Sequence, residues 1–243
     1  MLDENGASRS IGKIEVNGPL DFHCVDRISA NCKQMAADPT VGVVVLSVSP
    51  DVWTGWSDEA WNTAGECGLI GDPFGPIAFL PQPTIISIAG EVRDAGVELA
   101  LCADIRIADA AAVFSMTQVG SGHFPIAGGL QRLVRAIGRA HALEFVLAGK
   151  PIDAPTAMHW GLISHVASTG ETIPEALAWA ERIAQFGLLG LRAAKEAINR
   201  GSHMSLDEAL RFETDLAVLL QTTKDRTEGV RAFMEKRPPK FGR

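Results

Sequence analysis

The stretch DAGVELALCADIRIAD, residues 94–109, sets one carboxylate, Glu98, inside an otherwise apolar run. Its neighbours Val97, Leu99, Ala100, Leu101 and Cys102 cover every face of a helix, and a helix that is apolar all round is normally buried. A buried ionised carboxylate is costly unless it is paired; otherwise its pKa rises and it keeps its proton. Glu98 is therefore either the partner of a buried arginine or an acid/base. The residues before it supply the other half of a possible site. Asp94 is a good N-cap residue, which leaves the backbone N–H groups of Ala95, Gly96 and Val97 pointing out of the helix end. Such a terminus favours negative charge, and small residues let a ligand approach the backbone. Glu98 lies one residue beyond the capping-box position, so capping does not explain it. An oxyanion-stabilising helix end with a buried acid one turn away is a workable acid/base arrangement. A second loop, DVWTGWSDEAW (51–61), offers Gly55 with exposed amides as a further donor; the alternative is a surface loop packed by tryptophans.

Both loops need strands behind them. IGKIEV (11–16) reads as a strand, and residues 21–38 as an amphipathic helix with Val25, Ile28 and Met35 on its apolar side. VGVVVLSV (41–48) and TIISIAGE (84–91) read as strands buried on both faces, with IRIAD (105–109) and AVFSM (112–116) as shorter ones. A helix is expected over 95–103, and from about residue 128 the pattern is mostly helical. The chain divides into an α/β core, residues 1–190, and a helical region, residues 191–243. Alternating strands and helices predict parallel strands with right-handed crossovers, and ligands gather at the carboxyl ends of such strands. The two exits that matter run from VVVLSV into DVWTGWSDE and from IISIAG into EVRDAGVE. The connection after the first, residues 49–76, is long enough to be functional or mobile.

The 243 residues, 47% hydrophobic and 21% charged, suffice for one large domain. A net charge of −7 argues against nucleic acid as the main partner while leaving room for a local basic pocket. Cys24, Cys32, Cys67 and Cys102 have no CxxC spacing and read as reduced thiols of a cytosolic protein. The polar N-terminus lacks a signal peptide's apolar core, and no apolar run reaches the ~18–20 residues of a membrane span. A soluble, cytoplasmic chain is expected. No His/Cys cluster suggests a metal, GSGHFPIAGG lacks dinucleotide-binding spacing, and there is no GxSxG elbow.

From about residue 12 onward the chain resembles the crotonase superfamily of enoyl-CoA hydratases and isomerases. The resemblance is carried by IAGEVRDAGVELALCADIRIAD, by FPIAGGLQRLVRAIGRAHALEFVLAGKPIDAPTAMHWGLISHV and by DRTEGVRAFMEKRPPKF. The middle block is the most specific, being similar over some forty positions to the family pattern that opens PGxGGTQRL. The resemblance implies a crotonase-like α/β spiral of ββα units with a C-terminal helical trimerisation region, often assembled as a dimer of trimers. It also implies an acyl-CoA thioester substrate, with coenzyme A as part of the substrate and no further cofactor or metal. Two backbone N–H groups would hold an enolate oxygen, and by position these fall on Trp56 and Ala95. TGWSD carries one extra residue between Gly55 and Asp58, so Ser57 is an alternative donor. Glu98 falls on the first of the two glutamates that family hydratases use.

The second glutamate position, seven residues before Pro125, is Gln118. A glutamine cannot exchange a proton, though its amide can orient a water or a carbonyl. His123, two residues before Pro125, is a candidate replacement; the alternative is a histidine satisfied in its loop. Asp94 stands where the family has glycine, either capping the helix or acting on substrate. NGPLDFHCVDRI replaces the family's RPxxxNAL, which contacts CoA, whereas EKRPPKF is retained. Thr54 and Gly55 in the first loop, with Lys236, Arg237, Lys240 and Phe241 in the tail, are the implied CoA-holding residues; a solvated basic tail is the alternative. The leading reading is enolate chemistry on an acyl-CoA with Glu98 as acid/base, serving isomerisation or specialised hydration or dehydration. The alternatives are a β-diketone C–C hydrolase that needs no CoA, and a lapsed paralogue that binds acyl-CoA or partner subunits.

Overall fold

The computed structural model describes residues 10–63 and 70–241. In chain order the elements are β1 (Ser10–Val16), α1 (Phe22–Ala37), β2 (Val41–Val48), α2 (Asp58–Thr63), α3 (Gly75–Ala78), β3 (Thr84–Ile88), β4 (Glu91–Arg93), α4 (Ala95–Ala100), β5 (Ile105–Asp109), β6 (Val113–Ser115), α5 (Gly129–Ala148), β7 (Ile152–Asp153), α6 (Ala154–Trp160), β8 (His165–Ala167), α7 (Thr172–Ile183), α8 (Leu188–Gly201), α9 (Leu206–Gln221) and α10 (Lys224–Met234). Single 3-10 turns at Val52–Thr54 and Gln118–Ser121 precede the loops of interest.

β1, β2, β3, β5 and β8 form a parallel five-stranded sheet in that order, and β4, β6 and β7 form a smaller sheet beside it. The β-branched run of β2 is covered on both sides, as its composition requires. Val43 and Val45 join Ile85 and Ile107 against α7, whose Ala176 and Ala180 let the helix backbone lie close to the sheet. Val44 and Leu46 point the other way, with Ile86 and Ile88, into the larger core that contains α1 and α4. This α/β architecture agrees with the expected fold class.

The apolar run 84–91 is not one strand. It breaks at Gly90 (φ 81°), which turns the chain out of the large sheet after β3 and starts β4 in the small one. That break delivers Asp94 and Ala95 to the carboxyl edge of both sheets. α4 is also shorter than the expected 95–103, because its last residues close as turns. β7 and β8, of two and three residues, had no sequence signal. α8 is tied to the core by Lys195, whose ammonium pairs with Asp104 (2.6 Å) and donates to the Gln82 carbonyl (3.0 Å). Cys24, Cys32 and Cys102 are buried free thiols, and Cys67 lies outside the described residues. Among the described residues no helix is long and apolar enough to cross a membrane.

Candidate active site

The first strand exit turns sharply at Gly55 (φ 99°, ψ −166°), a backbone conformation that favours glycine. Beyond it, Trp56 bridges to Leu20 in parallel register, and the Ser57 N–H donates to the Leu20 carbonyl (3.1 Å). Ser57 is thereby engaged, which leaves the Trp56 N–H as the open one of the two candidate donors. Among the described residues, neither the Trp56 N–H nor the Ala95 N–H makes a hydrogen bond within the chain. The two stand close together. A Cβ built on Gly55 would lie 3.6 Å from the Asp94 Cβ and 4.0 Å from the Ala95 nitrogen. One built on Gly96 would lie 2.9 Å from the Trp53 carbonyl oxygen, so only glycine permits this approach of α4 to the Val52–Thr54 turn. With six residues, α4 is too short for a large macrodipole, and any oxyanion stabilisation rests on the individual N–H groups.

Glu98 is fully buried on α4. Its Oε2 accepts hydrogen bonds from the Ala127 N–H (2.9 Å) and the Gly129 N–H (2.9 Å), and its Oε1 accepts a longer one from the Gln118 amide (3.4 Å). The arginine that an ion-pair reading requires is absent among the described residues. Arg132 turns instead to Asp72, with both contacts under 3 Å. Burial pushes the Glu98 carboxyl above its ordinary range; the Gly129, Ala127 and Gln118 donors pull it down, and the nearby Asp94 charge pushes it up again. The net effect is to favour the protonated form more than a solvated carboxylate would.

Sequence reasoning missed the two backbone donors on Oε2. The available signal was the pair of glycines in FPIAGG: Gly128 takes φ 78° as the N-cap of α5, and a Cβ on Gly129 would stand 2.3 Å from the Glu98 Cγ. One glycine makes the turn and the other makes room for the carboxylate.

Gln118 opens the second 3-10 turn and is buried, with its amide nitrogen on Glu98. Its Oε1 has no partner among the described residues. His123 is exposed; its ring packs on Trp61 with centroids 4.5 Å apart, and its backbone N–H donates to the Gln118 carbonyl (2.8 Å). The structure thus brings Gln118, and not His123, to the Glu98 carboxylate. The capping role expected of Asp94 is corrected. Its side chain makes no cap bond to α4 and instead accepts from the Thr117 N–H (2.6 Å) and the Gln118 N–H (3.2 Å), because the backbone at φ 50° turns it away from the helix.

Thr54 is exposed, with its hydroxyl donating to the Asp51 carbonyl (2.8 Å). In the tail, Lys236 takes φ 53° just after α10, Arg237 pairs with Glu228 and Glu235, and the Lys240 N–H donates to Glu228 (2.8 Å). Phe241 packs beside Gly229. Lys224, Arg231, Arg237 and Lys240 line one groove of about 470 Å³ with Asp225 and Glu228. Among the described residues no group of His, Cys, Asp and Glu side chains is arranged to hold a metal ion.

The family model for enoyl-CoA hydratase/isomerase matches residues 6–243. The chain is 36% identical over 241 residues to the "probable enoyl-CoA hydratase" of Mycobacterium leprae, covering 95% of this chain and 94% of that one. It is 31% identical to the mitochondrial enoyl-CoA hydratase of Pongo abelii over 251 residues, covering 99% of this chain and 87% of the relative. The crystal structure of an enoyl-CoA hydratase from Bacillus anthracis superposes with a TM-score of 0.84 at 30% identity, covering 98% of each chain.

Proposed function

The chain belongs to the enoyl-CoA hydratase/isomerase family, and from that premise we propose that it moves protons on an enoyl-CoA thioester, with double-bond isomerisation as its principal reaction. The thioester carbonyl would sit between the Trp56 and Ala95 N–H groups. Glu98 takes the proton from the carbon next to the carbonyl of a 3-enoyl thioester, and negative charge moves onto the oxygen. Two fixed N–H donors gain strength as that charge grows, which lowers the barrier rather than only binding the substrate. Glu98 then returns the proton to the far end of the dienolate, leaving the double bond conjugated with the carbonyl. One carboxyl that exchanges a proton twice completes this reaction.

The observation that carries the reading is the setting of Glu98: a buried carboxyl held only by neutral donors, with Gln118 where a hydratase has its second acid. Hydration needs a second group to activate or orient water, and the Gln118 amide can orient but not deprotonate it. A specialised hydration or dehydration is the secondary activity of the same site. For the nucleotide of CoA, the tail groove lined by Lys224, Arg231, Arg237 and Lys240 supplies positive charge, with Lys236 and Phe241 beside it in the chain as the further residues proposed to hold the nucleotide. Assembly as a trimer or a dimer of trimers is part of the proposal.

Calorimetric titration with a short enoyl-CoA, beside free CoA and the free enoic acid, tests the substrate class. Thioester-dependent binding is expected, followed by conversion of 3-enoyl-CoA to 2-enoyl-CoA faster than hydration of the latter. Absence of CoA-dependent heat from folded protein overturns the reading in favour of a β-diketone substrate or a lapsed enzyme; hydration outpacing isomerisation overturns isomerisation as the principal reaction.

A further inference from the structure

We propose that Asp94 is a positioning residue that clamps the Gln118 turn onto the Glu98 site. Asp94 is one of two described non-glycine residues with positive φ, and at φ 50°, ψ −113° its backbone lies in a region that a side chain rarely occupies. Such a conformation persists only where the surroundings hold it, and it concentrates at functional sites.

Here the holding contacts are specific. The Asp94 N–H donates to the Ser115 carbonyl (2.9 Å), and its own carbonyl accepts from the Val97 (2.9 Å) and Glu98 (3.2 Å) N–H groups. Its carboxylate takes the Thr117 and Gln118 N–H groups, and the Thr117 hydroxyl approaches both of its oxygens (3.4 and 3.2 Å). Those amides belong to the start of the Gln118–Ser121 turn, where N–H groups have no carbonyl partner within the turn. Thr117 itself makes no side-chain cap bond there. Asp94 therefore caps, from 23 residues earlier in the chain, the turn that carries Gln118.

The consequence reaches the reacting carboxyl. One residue fixes the start of α4, with Ala95 on one side, and the backbone of Gln118 on the other. The Gln118 amide then meets Glu98 from a fixed direction. A glycine at 94 would adopt the backbone without strain but would leave the Gln118 turn untied. Asparagine keeps an acceptor oxygen of the same reach and drops the charge.

The kinetic part of the test rests on the enoyl-CoA reading; the structural part does not. Amide hydrogen exchange is compared in the native protein, Asp94→Gly and Asp94→Asn. Asp94→Gly is expected to speed exchange at Thr117 and Gln118 by about tenfold or more while β3 and β5 stay at native rates, and Asp94→Asn to restore protection. With 3-enoyl-CoA as substrate, Asp94→Gly lowers kcat by about 10²-fold, the scale of a misplaced catalytic group, and leaves KM near native. Combining it with Gln118→Ala costs no more than Gln118→Ala alone, since both remove the same restraint. Unchanged exchange at Thr117 and Gln118 in Asp94→Gly, or fully additive losses in the double variant, overturns the proposal. If the native protein turns over no enoyl-CoA, the function reading fails, and the exchange comparison alone decides the role of Asp94.

Discussion

Glu98 is held by the Ala127 N–H, the Gly129 N–H and the Gln118 amide, none of which carries a formal charge. An arginine in their place would hold the carboxyl ionised and make it a poor proton donor; neutral donors offset the loss of water only in part, so burial keeps the pKa raised. The direction of the pH effect comes from that shift. Between the ordinary carboxylate pKa, about 4.3, and the raised folded value, the folded chain binds more protons than the unfolded one. Stability contributed by this group therefore falls as pH rises through that window, and the full cost is present above it. Glu98→Gln removes the cost. Its amide oxygen can keep both backbone donors, and once the Gln118 amide turns over, its NH₂ can donate to the Gln118 Oε1, which lacks a partner among the described residues. At pH 7 the variant is expected to be more stable than the native protein and to melt at a higher temperature, as when a functional site is relieved, while losing ~10²–10⁴-fold in turnover. Melting curves at pH 7 and pH 4 check this: the stability gap should close at the lower pH, and a lower melting temperature for Glu98→Gln at pH 7 contradicts it. The oddity of Glu98 was legible from its apolar neighbours, and Gln118 through the family resemblance, which counts seven residues back from Pro125. The role of Asp94 was not, since an acid before a helix reads locally as a cap, whereas its partners Thr117 and Gln118 lie far along the chain.

At the scale of elements, the site depends on how α5 begins. The Gly129 N–H points at the Glu98 carboxylate, and the space of its missing side chain is filled by that carboxylate, 2.3 Å from where a Cβ would sit. Gly129→Ala forces Glu98 to rotate away from both backbone donors. The expected outcome is a lower melting temperature and a kcat reduced by about 10²-fold, the scale of a misplaced catalytic group. Gly190→Ala on α8 is the control, because nothing lies within 4 Å of a Cβ there; it should leave kcat unchanged and raise stability by up to ~1 kcal/mol. Equal kinetic effects of the two substitutions would contradict the cradle at Gly129. Periodicity reaches only some of these elements. The core face of β2 and the helix α1 were legible, since burial of those residues leaves a repeat in the sequence. The break between β3 and β4 was not, because Val92 continues the apolar run across Gly90 and only the positive φ of that glycine separates the sheets. β8 is defined by its pairing with β5, a partner nearly sixty residues earlier (Ile107 with His165), and three residues carry no periodicity of their own.

Across the whole molecule, the C-terminal helices stand out because α8 and α9 bury no residue within the chain, although both carry apolar side chains at helical spacing. Leu189, Ile198, Leu210, Leu219 and, on α10, Phe233 are exposed, Phe233 by 86%. Scattered apolar residues on a surface are ordinary, but the run of them along three successive helices is the face we propose as the contact between copies of the chain. Their helical character was legible from the sequence; which face would be covered was not, since one chain does not contain its own partner. The proposed trimer or dimer of trimers gives that face its cover, and copies of one chain close most simply by rotational symmetry. Light scattering coupled to size-exclusion chromatography should give the mass of three or six chains for the native protein. Leu219→Glu and Phe233→Glu each place a charge in the proposed contact, where a desolvated and unpaired carboxylate costs several kcal/mol, so both should shift the mass to smaller species while the circular dichroism of the α/β core persists. A monomeric native protein, or a charge variant that keeps the full assembly, contradicts this interface. If the tail groove of Lys240 and Arg237 serves a neighbouring subunit's substrate, the dissociated variants should also show a raised KM for the CoA thioester with Glu98 chemistry intact.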